Sequence, residues 1–184
     1  MIFRTIERRI PQSNSLFVLI EAGVEKERMS FGDSSGRNAL LFVLKGGMTL
    51  ENEASGLSEE ILGGHFFFLP GGEGWCGSFL QGSVSVLFFF ERTEFLHSWP
   101  LEASLASFMP AGVTGFPVAL PFFSSVSLLL ELLSVYMSTG ADDPNLYQAK
   151  DMELIALIIR SYPAEKIAAL FYPLCASGFI FPEH

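Results

Sequence analysis

Gly64-His65-Phe66-Phe67-Phe68-Leu69-Pro70-Gly71-Gly72-Glu73-Gly74-Trp75 reads as an apolar strand closed by a tight turn. A glycine, five residues, a proline, one residue and a second glycine set its geometry. Pro70 locks φ, and Gly71, Gly72 and Gly74 can take the positive φ values that other side chains resist. Five residues suit a strand and are too few for a helix.

The same grammar runs outward in both directions. Leu16 to Ile20 and Asn38 to Leu44 are apolar runs of strand length. Lys45-Gly46-Gly47 is expected as a hairpin turn into Met48-Thr49-Leu50-Glu51. A short strand, Glu59 to Leu62, precedes the central motif, and Trp75 to Leu80 follows it. After Gly82, residues Val84, Val86, Phe88 and Phe90 share one face, the expected core face, with Ser83 and Ser85 on the other. Many short strands punctuated by glycine predict a sandwich or barrel over residues 1–108. The reading leaves open whether Met1 to Pro11 is a barrel strand or an arm.

A Pro- and Gly-rich connector, 109–120, separates this part from a helical one, 121–184. Pro121 is expected in a first helical turn. Phe122, Phe123, Val126, Leu129, Leu130, Leu133 and Tyr136 then recur at threes and fours. Gly140 is the expected stop, Asp142 or Asp143 the next cap, and Pro144 the following first turn. Pro163 opens a third, short helix, Ala164 to Tyr172. The fold class expected is therefore mainly β plus α: a barrel followed by two to three packed helices.

Composition bounds the function. The chain has 184 residues, 49% of them hydrophobic, with 19 Phe, which is ample for a core. A net charge of −9 and a pI near 4.7 make it a poor ligand for phosphate backbones. Cys76 and Cys175 match no metal or redox spacing and read as free thiols. The charged N-terminus has no signal-peptide core, so a cytoplasmic location is expected. Residues 103–130 carry no charge, but Pro110, Pro117, Pro121 and Glu131 argue against a membrane span.

The central motif resembles the second sequence motif of the cupins, small jelly-roll barrels. In metal-binding cupins a histidine follows the second glycine, at the position of Trp75 here. His65, His97 and His184 form no H-x-H or H-x-x-x-H pattern, and Asn38 to Leu44 has no histidine, so no metal or other cofactor is expected. No catalytic constellation is visible either: Glu73 has no partner acid or base, and no nucleophile elbow occurs. What remains is a ligand pocket, with Arg37, His65, Glu73 and Trp75 as its candidate polar and aromatic lining. A filled barrel is the alternative.

Lys150-Asp151-Met152-Glu153-Leu154, then Leu157, Arg160 and Tyr162, then Leu170-Phe171-Tyr172-Pro173-Leu174, resemble the helical tail of AraC-type regulators, in particular the sensor halves of gut Bacteroidetes. The resemblance implies a cupin-like sensor barrel for a small-molecule effector, a sugar or related metabolite, and a homodimer formed through the helices. Phe122, Phe123, Val126, Leu129, Leu130 and Leu133 are the expected interface. The family's helix-turn-helix domain departs from this sequence, which has no basic recognition helix up to His184. DNA contact would belong to that further domain. A small cupin enzyme, isomerase or dioxygenase, and a purely structural dimer module are the rival expectations.

Overall fold

The computed structural model describes residues 3–10, 15–23, 27–31, 36–90 and 119–171. His97 and Cys175, most of the expected connector and the tail beyond Phe171 lie outside them. Among the described residues, ten strands precede three helices: β1 (Phe3–Arg9), β2 (Leu16–Ala22), β3 (Glu27–Ser30), β4 (Asn38–Lys45), β5 (Gly47–Asn52), β6 (Leu57–Leu62), β7 (His65–Leu69), β8 (Trp75–Phe79), β9 (Val84–Phe90), β10 (Leu120–Pro121), α1 (Ser124–Thr139), α2 (Pro144–Ser161) and α3 (Ala164–Leu170).

The strands form two antiparallel sheets, β1-β2-β9-β4-β7-β10 and β3-β8-β5-β6. Apart from the β5–β6 hairpin, strands β2 to β9 alternate between the sheets in the order of a double Greek key, the connectivity of an eight-stranded jelly roll. β1 and β10 extend the larger sheet at its two edges.

Two cores explain the composition. One lies between the sheets and holds Ile20, Leu41, Leu50, Phe67 and Phe79. The other lies between the six-stranded sheet and the helices and holds Phe42, Phe66, Phe88, Leu130, Leu154 and Phe171. The larger sheet is thus a middle layer, covered on both faces. Its inner strands β2, β4, β7 and β9 read as largely apolar runs for that reason, whereas β1 at the edge is charged and mostly exposed. The expectation for β9 was half of the answer: Val86, Phe88 and Phe90 face the helices, while Leu87, Phe89 and the fully buried Ser85 face the barrel interior.

Two local expectations are corrected. Lys45-Gly46-Gly47 is not a hairpin, because β4 pairs with β7 and β9 whereas β5 pairs with β6 and β8. The joint carries the chain from one sheet to the other. Gly46 sits at φ 76°, and the buried Ser83 hydroxyl locks the corner, accepting from the Gly47 amide at 3.1 Å and donating to the Gly47 carbonyl at 2.8 Å. A side chain on Gly46 would collide with that hydroxyl. Pro121 belongs to an edge strand instead of a helix, a position where its missing amide costs no ladder bond.

The helix signals hold. Gly140 ends α1 at φ 79°, its amide reaching the Met137 carbonyl and the Ala141 amide that of Tyr136. The Asp143 side chain accepts from the Asn145 amide, with Pro144 in the first turn of α2. Phe42 stacks on its cross-strand partner Phe66 at 5.3 Å, and the tail after α3 joins the sheet where Phe171 meets Phe68 edge-on at 5.2 Å.

Candidate functional site

The turn after β7 organises one end of the barrel. Gly71 must be glycine because its Cβ would strike the carbonyl of Gly36. Its amide donates to the Asn38 side chain at 3.0 Å, and this ties the turn to the start of β4. Of the three turn glycines only Gly72 takes positive φ, 81°. The Trp75 amide then bonds the Glu73 carbonyl at 2.8 Å and starts β8.

Three of the four candidate residues meet at this end. Arg37 precedes β4, its guanidinium 5.2 Å from the centre of the Phe89 ring. Trp75 opens β8 and is 3% exposed, so it is part of the core between the sheets and offers no free face for stacking on a sugar. Glu73 is exposed. Its Oε2 accepts from Trp75 Nε1 at 3.1 Å and from Asn52 Nδ2 at 3.3 Å. His65 is elsewhere. It starts β7, and Glu73 follows the other end of the same strand, so a five-residue strand separates them. The His65 ring Nδ1 lies 3.2 Å from the Leu62 carbonyl, in the turn it serves.

Asn52 was not singled out from the sequence, although it holds this end together. Its Oδ1 accepts from the Ala54 and Ser55 amides and the Ser55 hydroxyl at 3.0, 2.9 and 3.1 Å, and its amide reaches Glu73. Asn52 followed four residues later by Gly56 is the local signal of such a turn. On the outer face of the smaller sheet, Arg28 bridges Glu51 at 3.3 Å and Glu53 at 3.0 Å, and the buried Cys76 thiol points at Glu53 at 3.4 Å. Arg28 of β3 thus pairs with Glu51 of β5 and with Glu53 in the turn that follows it. Among the described residues no three metal-ligating side chains gather.

The level below Trp75 is close-packed at Gly77. A Cβ on Gly77 would meet Met48 Cε, and the Phe31 ring at 2.6 Å. Arg37, the buried Asn52 and the exposed Glu73 lie at the turn level of this end.

The expected dimer residues need correction. Val126, Leu129, Leu130 and Leu133 are at most 5% exposed and pack against the chain's own sheet. Phe122 is also partly covered by this core, 6.1 Å from Phe42 and 6.2 Å from Phe66. The outward stripe of α1 is Leu128, Leu132 and Val135, 66%, 40% and 53% exposed, with Phe123 at its head, 47% exposed. A groove of about 460 Å³ beside it is lined by Gly64, Phe122, Phe123, Ser124, Ser127 and Leu128. Among the described residues no helix is long and apolar enough to cross a membrane.

With this geometry in place, comparison with known proteins adds a fold-level likeness. No family model and no curated protein matches the chain. Among solved structures it is similar to an RmlC-like cupin from Desulfovibrio desulfuricans, 8% identical over 48% of this chain and 82% of that one, TM-score 0.42. It is also similar to NMB1881 from Neisseria meningitidis, 18% identical over 50% and 87%, TM-score 0.40. YlbA from E. coli is 15% identical over 65% and 45%, TM-score 0.43. Scores this low add no argument of their own. The cupin-like jelly roll rests on the strand order.

Proposed function

We propose that the chain is the effector-sensing and dimerisation part of an AraC-type transcriptional regulator of the cytoplasm, and catalyses nothing. The observation that carries the reading is the outward apolar stripe of α1, on a helical pair seated directly on the larger sheet of a jelly roll. Buried apolar area is worth roughly 25 cal/mol per Å², so such a stripe favours association, and a two-fold homodimer is the commonest form. DNA contact on this reading belongs to a helix-turn-helix domain beyond these residues.

On this reading a small effector, a sugar or related metabolite, would bind at the end carrying Arg37, Asn52 and Glu73, beyond the close-packed level at Gly77. An effector shifts the dimer only by the difference in its affinity for two barrel–helix arrangements. Sedimentation of the 184-residue chain, with a thermal-shift panel of free monosaccharides and sugar acids, tests the reading. A dimer dissociated by Leu128→Asp, and a sugar that raises Tm, are expected. A monomer at about 100 μM with no responsive sugar sinks it. One tightly held transition metal per chain would instead revive the cupin enzyme.

A further inference from the structure

β10 closes one edge of the six-stranded sheet with two residues, Leu120 and Pro121, against β7. One of them is a proline and donates nothing to the ladder. The next residue adds a bond, from the Phe122 amide to the Gly64 carbonyl at 2.7 Å. Leu120 opposes Phe66 and Phe122 bonds to Gly64, so Pro121, between them, turns its carbonyl away from β7. On an edge strand that carbonyl faces outward. Here it receives the Tyr162 hydroxyl at 2.6 Å.

Tyr162 directly follows α2 and is 8% exposed. Its ring lies 5.5 Å from that of Phe66 on β7 and 4.7 Å from that of Phe123, the residue before α1. One side chain therefore touches the end of α2, the edge strand, the strand it covers and the start of α1.

We propose that Tyr162 is a latch: α2 seated on the sheet keeps β10 on β7, and lifting the C-terminal end of α2 releases β10 and opens the edge of β7. Without the Tyr162 hydroxyl the strand keeps its two paired residues, the Phe122 bond and the packing of Leu120 and Phe122 in the core. Tyr147 supplies the internal control. Its hydroxyl donates to the Ala141 carbonyl at 2.6 Å, which Arg8 Nε of β1 also reaches at 3.3 Å. That bond ties α2 to the α1–α2 loop and does not involve β10. The latch stands independently of the sensor reading.

Native-state hydrogen exchange on the full chain tests it. Tyr162→Phe keeps the ring and removes the hydroxyl. The Leu120 and Phe122 amides should then exchange about tenfold faster, while β2 keeps its wild-type rates. Tyr147→Phe should leave Leu120 and Phe122 unchanged. In the wild-type chain, low urea should open these two amides together with the last turn of α2. Unchanged rates at Leu120 and Phe122 in Tyr162→Phe, equal acceleration in β2, an equal effect of Tyr147→Phe, or separate opening in the wild type would each overturn the proposal.

Discussion

Glu73 accepts the indole proton of Trp75 at 3.1 Å, two residues apart in one turn, so a buried aromatic is anchored by an exposed carboxylate. The same oxygen takes the Asn52 amide. Glu73→Ala should lower stability by about 1 kcal/mol, and Glu73→Gln, which keeps an acceptor, by less. Urea denaturation of both variants measures this. Equal losses would mean that charge, not acceptance, is what matters.

Ser83 and Ser85 make an opposed pair. Both are buried, but Ser83 is bonded twice to Gly47, while the Ser85 hydroxyl has no partner among the described residues. Ser83→Ala should cost about 1–3 kcal/mol and Ser85→Ala should be neutral or stabilising. A destabilised Ser85→Ala would reveal a partner for that hydroxyl, such as an internal water.

On α1, Leu130 and Leu128 separate folding from association. Leu130 is fully buried, and Leu130→Ala should cost about 2–5 kcal/mol. Leu128 is exposed, and Leu128→Asp should leave monomer stability within about 0.5 kcal/mol while weakening self-association. Thermal unfolding and sedimentation together check the pair.

Burial pushes the Tyr162 phenol up from 10.0 to about 12, and the Phe123 backbone amide opposes this in part. The folded value lies above the unfolded one. The stability from this group is therefore fully present below pH 10.0 and lost as pH rises to about 12. The advantage of the wild type over Tyr162→Phe should shrink across that window in alkaline denaturation series. A constant advantage would reject the assignment.

The strands and caps were legible because their signals are local. Alternation in β9, the Pro70 turn, Gly140 and Asp143-Pro144 act within a few residues. Sheet membership was not, since Lys45-Gly46-Gly47 reads alike whether the next strand returns beside its predecessor or crosses to the facing sheet. The interface residues misled for a related reason. Leu128, Leu129, Leu130, Leu132 and Leu133 surround α1 with apolar side chains, so periodicity cannot say which side meets the sheet. The separation of His65 from Glu73 was readable in advance: a five-residue strand at about 3.3 Å per residue holds its ends some 13 Å apart.

The position of β9 between β2 and β4 also governs when this protein can begin to exist. Leu16 meets Phe89 and Asn38 meets Phe90, so the middle layer stays split until the whole of β9 has left the ribosome. Until then the Phe-rich faces of β4 and β7 lack the strand that joins them to β2. Contacts this distant in sequence close slowly. A nascent chain halted before Val84 should therefore engage chaperones, and one halted well beyond Phe90 should be released from them.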